Sequence, residues 1–445
     1  MRQQIITALN NALRDSDCFV FPSGIKVQRL EGNMRLSPDD SIIKLFKFYN
    51  GKTGENVEEY LPIENTEHLL RILKDRSASA PEGFIPFFEK IVVSDDIPNT
   101  WAAAIMDGVI SHLVRRFGNS DPPKSWRPRT PLPDAVTLAK VILNYLEAYP
   151  FLWEECDEIA DVLKVCSCIL DNPGEIEPLI FCQFRLASHQ DPEKPEDDDT
   201  LTKKDLEHIS RHSVRGKTGE GIILLASNLL RKEDWLHPLI FPLLFRFATD
   251  PHPGVRVSIL THLTDFGQYD PEGAWKLYRS IFQTPHSLLW GYGEPFLCDQ
   301  SNRYFKNVKH YLERIRKEAF DIAAKTWGKV STVACLFGHI QEKALFKEIV
   351  TLNNKDVWQG LSEAFEERIT ESDDRDMTLL TADKFIPLIN ELKDFCSVKW
   401  FYDWLTALSE TSPFSAIQLY EKLLAGADDA ELAAKIIALR ESLDM

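Results

Sequence analysis

The sequence predicts an all-α fold, an α-solenoid of stacked antiparallel helix pairs, and three observations carry that expectation. Apolar residues recur at three- and four-residue spacing in nearly every segment after about residue 130. Short links bearing helix stop-and-start residues join those segments. The dipeptide Val-Arg opens a helical segment at Val214-Arg215 and again at Val255-Arg256, 41 residues later.

Taken from the start, residues 1–119 form a mostly helical N-terminal region. "CFVFPSGIKVQRLEGNMRLS" (18–37) mixes short alternation with Gly and Pro, so a small hairpin or an irregular loop competes there with helix. "PDDSIIKLFKFYN", "NTEHLLRILKDRS", "PEGFIPFFEKIVV" and "NTWAAAIMDGVISHLVRRF" then have helical spacing, each led by Ser, Asn, Thr or Pro. "SDPPKSWRPRTPLPD" (120–134) holds five prolines in fifteen residues and cannot continue a helix, which marks it as a linker.

Residues 135–445 form the repeat region. It is interrupted by "HQDPEKPEDDDT" (189–200), an acidic, proline-containing loop expected to be solvated. In "DWLHPLIFPLLFRFATD", Leu236, Leu239, Leu243 and Phe247 fall on one face of a predicted helix, with Ile240 and Leu244 widening the stripe. The following helix after Asp250 places Val255, Ile259, Leu263 and Phe266 in the same way. Ala274, Leu277, Tyr278 and Ile281 form the next stripe, behind an Asp270-Pro271 start in which Asp caps and Pro takes the first helical position. Tight links force such helices to pack antiparallel, and the 41-residue interval lies in the range of HEAT and armadillo repeats.

Composition bounds the function. Hydrophobic residues make up 44% and charged residues 27%, as in a folded chain. A net charge of −17 opposes broad binding to nucleic acid or an anionic membrane. The N-terminus lacks the apolar core of a signal peptide and no run of about 18 apolar residues occurs, so the cytoplasm is the expected compartment. The eight cysteines have no Cys-x-x-Cys pairing and are expected to be buried, reduced thiols.

Gly216-Lys217-Thr218 spells the end of a phosphate-binding loop. That loop needs a glycine five residues before Gly216 and a buried strand ahead of it. The chain has Arg211 there, behind the charged "LEHISRH"; at Gly51-Lys52-Thr53 the corresponding residue is Phe46. The expectation is a helix capped by Ser213, with Gly216, Gly219 and Gly221 admitting a close neighbour. His208 and His212 have the one-turn spacing of a zinc helix, but Ile209 stands where a zinc protease needs Glu. With no nucleophile elbow or activated Ser or Cys evident, no catalytic, cofactor-binding or metal-ligating residue is assigned and the chain is expected not to be an enzyme.

Two stretches are candidate partner-binding surfaces. "HSLLWGYGEPFLCDQSN" (286–302) sets Trp290, Tyr292 and Phe296 among glycines and proline, where helix is disfavoured and the rings are expected to be partly exposed. "RYFKNVKHYLERIRK" (303–317) carries Arg303, Lys306, Lys309, Arg314, Arg316 and Lys317 against Glu313 as its one acidic residue. A solvated helix face over core aromatics competes with a docking site for an acidic protein surface or, as the alternative, nucleic acid.

"TWAAAIMDGVISHL", "HSVRGKTGEGIILLASNLL", "PLLFRFATDPHPGVRVSILTHLTDFGQYDPEGAWKLYRSIF" and "YFKNVKHYLERIRKEAFDIAAKTWGKVSTVACLFGH" together resemble the C-terminal HEAT-like region of large bacterial STAND-type ATP-binding proteins, several of which act in anti-phage defence. The resemblance spans roughly residues 40–370 and rests on diffuse patterns. It implies structural roles for Val214, Arg215 and Gly216, and a sensor or scaffold arm that contacts a partner or foreign protein while an NTPase and an effector supply the chemistry. These residues depart from that family in holding no NTPase module, so the expectation is either the C-terminal piece of a longer protein or a stand-alone relative with a separately encoded partner.

Overall fold

A computed structural model describes residues 66–425 apart from 96, 119–120, 153–157, 195–200, 285, 371 and 393–394; the expected hairpin at 18–37, the helix at 38–50 and the Gly-Lys-Thr at 51–53 lie outside the described residues. Among the described residues the chain forms nineteen α-helices and no strand. Two compact units divide it, one of residues 1–193 and 209–247, the other of residues 194–208 and 248–445.

The first unit contains α1 (Thr66–Ser79), α2 (Pro81–Val92), α3 (Asn99–Phe117), α4 (Ala135–Ala148), α5 (Ile159–Ile169) and α6 (Glu177–Leu186). After α7 (Lys203–His212), which runs across the division in sequence, the same unit resumes with α8 (Val214–Glu233) and most of α9 (Ile240–Ala248). Helices α1, α3, α5 and α8 pack one on the next, and α4 packs on α6. Trp101, Ile105, Val109 and Leu113 of α3 are buried, so each turn of that helix contributes to the core. Gly108 permits the contact with α1: a Cβ there would stand 2.3 Å from the Lys74 carbonyl oxygen.

The second unit contains α10 (Pro253–Tyr269), α11 (Pro271–Ile281), α12 (Leu289–Gln300), α13 (Phe305–Glu318), α14 (Phe320–Leu336), α15 (Glu342–Leu352), α16 (Lys355–Thr370), α17 (Ser372–Leu392), α18 (Phe395–Thr411) and α19 (Pro413–Ala425). Here alternate helices again form a row: α10, α12, α14, α16 and α18 pack in succession, and α15, α17 and α19 do likewise. The predicted stripes are core. Val255, Ile259, Leu263 and Phe266 are buried in α10, as are Ala274, Leu277, Tyr278 and Ile281 in α11. Asp270 caps α11 by accepting from Gly273 N at 2.9 Å.

Several expectations change. Leu236 and Leu239 do not belong to α9: Asp234 adopts a left-handed conformation (φ 49°) that closes α8, and α9 begins only at Ile240, leaving Leu239 40% exposed. Residues 121–134 have the irregular backbone expected of a proline-rich stretch, yet both flanks belong to the first unit. Hydrogen bonds tie the stretch down: Trp126 Nε1 donates to the Ala78 carbonyl (3.0 Å), Arg129 N to that of Ser79 (2.8 Å), and Arg116 Nη1 to that of Pro133 (2.7 Å). Cys166, Cys182, Cys298 and Cys335 are buried free thiols, whereas Cys168 is exposed on α5. Burial pushes the Cys182 thiol up to about 11 and that of Cys335 up to about 12.

Candidate functional site

At Gly216-Lys217-Thr218 every functional group is already engaged in the helix or its packing. Ser213 caps α8, its Oγ accepting from Gly216 N at 3.1 Å. Lys217 Nζ lies 2.6 Å from Asp161 Oδ2 of α5, and Thr218 Oγ1 donates back to the Val214 carbonyl at 2.7 Å. A Cβ on Gly216 would come within 2.5 Å of the Ile209 carbonyl oxygen; one on Gly221 would meet Lys164 Cα of α5 at 3.2 Å. The tripeptide is thus the first turn of a packed helix, with no strand before it.

The two Val-Arg pairs share a chemical role but not a direction. Arg215, 8% exposed, donates through Nη1 to the carbonyls of His189 (2.6 Å) and Gln190 (3.1 Å), the loop after α6. Arg256, 2% exposed, donates through Nη1 to those of Thr284 (2.6 Å) and Ile281 (3.1 Å), at the end of α11 and in the loop beyond it. Each guanidinium fastens an inter-helix loop, one earlier in the chain and one later. Asp250 accepts from His252 N at 2.9 Å and so sets the turn into α10, with Val255 buried behind it. The acidic stretch is anchored where it begins: Asp191 Oδ2 accepts from Val214 N (2.6 Å) and its carbonyl from Arg215 N (3.1 Å). His208 and His212 are exposed on α7.

The segment 286–302 departs most from expectation. Residues 289–300 are helix α12, and Trp290 (1% exposed) and Phe296 (0%) are core residues, which removes both from any docking surface. The glycines that weaken helix propensity are what permit the packing. Tyr278 Oη approaches Gly293 so closely that a Cβ there would lie 2.8 Å from it, and tertiary burial outweighs the local cost. Tyr292 is half-buried, its hydroxyl donating to the Lys203 carbonyl (3.1 Å) and contacting Glu207 Oε1 (3.2 Å).

The basic stretch splits into two groups. Arg314 is held by Glu318 (Nη2 to Oε2, 2.9 Å) and by the Phe282 carbonyl, and Arg316 by Glu348 (3.7 Å) and the Phe320 ring (4.2 Å). Arg303, Lys306, Lys309 and Lys317 are exposed and make no ion pair among the described residues. On α13, Val308, Tyr311, Leu312 and Ile315 are buried, so the helix turns Lys306, Lys309 and Lys317 outward, with the exposed Glu313 between the last two, and Arg303 stands in the turn before it.

Beside those cations lies a cleft of about 340 Å³ between α11 and α13. Buried rings of Trp275, Phe282 and Tyr311 form its floor, and Arg279, His310 and Arg314 stand among its rim groups. Trp275 and Tyr311 stack with centroids 6.1 Å apart, and Tyr278 meets Tyr311 edge-on at 4.8 Å. Burial, against the opposing charges of Arg314 and Arg279, pushes the Tyr311 hydroxyl up to about 12. Spacing in the sequence revealed the basic stretch; the cleft joins residues from two helices, and only packing brings them together.

No cluster of three or more His, Cys, Asp or Glu side chains able to hold a metal ion, and no helix long and apolar enough to cross a membrane, occurs among the described residues. Neither a family model, nor a curated protein, nor a solved structure matches the chain.

Proposed function

We propose that the chain is a non-catalytic, HEAT-like α-solenoid that binds a protein partner through the basic face of α13. The observation that carries this reading is the set of exposed cations at Arg303, Lys306, Lys309 and Lys317, which form no ion pair among the described residues in a chain whose net charge is −17 and outnumber the one exposed carboxylate on that stretch, Glu313. The rows of alternate helices within each unit support the solenoid, because each helix pair leaves an apolar face that the next one covers. The resemblance to STAND-type proteins extends the proposal to a sensor or scaffold role beside an NTPase and an effector in bacterial defence.

Panning a random displayed-peptide library against the full chain tests this reading. Acidic peptides are expected to be enriched, and the enrichment is expected to vanish in the R303E/K306E/K309E/K317E variant. Enrichment of uncharged or basic peptides, or no enrichment, overturns it. The same four cations favour nucleic acid as the second reading. Salt-sensitive binding of an oligonucleotide, lost in that variant, would replace the first.

A further inference from the structure

We infer that the outer face of α6 is a self-association surface: two copies of the chain pair α6 antiparallel about a two-fold axis, Phe181 meeting its counterpart while Glu177 of each copy faces Arg185 of the other. The inference stands apart from the α13 reading and concerns the first unit alone.

Helix α6 is fixed by its inner face. Leu179, Ile180, Cys182 and Gln183 are buried, and Gln183 Nε2 donates to Ser167 Oγ of α5 at 2.8 Å. Outside, Phe181 and Phe184 remain 45% and 51% exposed, three residues apart and so on one side of the helix. The patch continues onto α9. Arg246 stands over the Phe184 ring, 5.8 Å from its centroid, and donates through Nη2 to Ser188 Oγ (2.7 Å); Phe245, the residue before it, is 43% exposed as well. Large rings half open to water on adjoining helices mark an interaction surface.

Charge selects a second copy as the occupant. Glu177, Phe181 and Arg185 are spaced four apart and form one ridge of the helix, with an acid at one end, a ring at the centre and a cation at the other. Both charged groups are exposed, and neither makes an ion pair among the described residues. Such a ridge is complementary to itself when run antiparallel. A two-fold axis through Phe181 sets the acid of each copy on the cation of the other, whereas a parallel pairing sets like on like. Arg246 on α9 and Glu147 on the adjacent α4 are exposed too, so both signs flank the rings and neither a strongly acidic nor a strongly basic partner is favoured. The half-exposed rings supply only part of the roughly 800 Å² per partner of a stable interface, so the dimer is expected in the micromolar range.

Sedimentation velocity of the full chain between about 1 and 200 µM tests this, and the parent is expected to pass from monomer to dimer over that range. Phe181→Ser, Glu177→Arg and Arg185→Glu are each expected to weaken the dimer about tenfold or more. All three positions are exposed, so the circular dichroism of the variants is expected to match that of the parent. An equimolar mixture of the Glu177→Arg and Arg185→Glu chains isolates the pairing. One chain then carries cations at both ends of the ridge and the other acids, and antiparallel pairing between them restores both ends, so the dimer is expected to return. Both native charges also suit the helix dipole, a role that mixing does not restore, so recovery reports contact between copies. A parent that stays monomeric throughout, a dimer that all three variants leave intact, or a mixture no more dimeric than its components overturns the inference.

Discussion

Lys217 reaches from the first turn of α8 to Asp161 on α5, Nζ to Oδ2 at 2.6 Å, with the lysine side chain 13% exposed. The residue that would grip a phosphate is therefore a packing cation, and two outcomes are expected. MgATP should leave the thermal midpoint unchanged. The Lys217→Ala/Asp161→Ala cycle in denaturant unfolding should give a coupling of roughly 1 kcal/mol, at the upper end for a partly exposed pair. Saturable ATP binding lost in Lys217→Ala would reverse this assignment.

Lys329 on α14 lies between Glu294 of α12 (2.8 Å) and Glu367 of α16 (2.6 Å), and is itself 7% exposed. Burial opposes its charge, but the hydrogen bonds to Glu294 and Glu367 raise its pKa well above the ordinary lysine value. Lys329→Ala leaves Glu294, its side chain only 12% exposed, without that partner and is expected to cost about 3 kcal/mol in urea unfolding. Lys329→Met with Glu294→Gln should recover part of the loss. A raised lysine pKa stabilises fully below the unfolded value, so this contribution should persist through neutral pH and fade only above about pH 10.5.

Glycine substitutions in three helices should differ in sign. A Cβ at Gly360 would stand 2.1 Å from the Lys325 carbonyl oxygen, and one at Gly328 2.4 Å from that of Val357, so α14 and α16 meet backbone to backbone. Gly328→Ala and Gly360→Ala are each expected to destabilise by about 3 kcal/mol, because no flexible side chain can yield. Gly291 of α12 has nothing within 4 Å of its would-be Cβ. Gly291→Ala should stabilise by roughly 0.8 kcal/mol from helix propensity, and chemical denaturation of the three variants checks the contrast.

His112 is buried in α3, its Nδ1 2.8 Å from the Ala78 carbonyl and its Nε2 without a hydrogen-bond partner among the described residues. Burial lowers its pKa below the ordinary value of 6.5, against the Ala78 hydrogen bond and with Arg116 and Arg115 adding to the effect. The unfolded chain then binds the proton more readily. Stability from this site is complete above about pH 6.5 and is lost as pH falls through the lowered native value. His112→Asn should flatten the decline in urea midpoint between neutral and mildly acidic pH, and an unchanged slope would count against this account.

Periodicity and capping chemistry were enough to read most of the helices from the sequence, the start of α9 and the whole of α12 excepted. The stripe Val255, Ile259, Leu263 and Phe266, the Asp270-Pro271 start and the Ser213 cap depend on neighbours within a few residues, and all stand as expected. The helical setting of Lys217 was also legible, since Ser213 offers a cap and Arg211 occupies the place where a phosphate-binding loop needs glycine. Decisions of burial were not. Gly291, Gly293 and Pro295 argue locally against helix, and only the aromatic core around Tyr278, Phe282 and Phe296 supplies enough buried surface to overrule them. Equal charges on one helix likewise met different fates, Arg314 finding Glu318 and the Phe282 carbonyl while Lys306 and Lys309 face outward. Local spacing determined where most helices start, stop and turn their apolar faces, because those forces act within a turn or two. Which ring is core, which cation is left over and where two helices leave a cleft was decided by tertiary packing, because those outcomes depend on residues far apart in the chain.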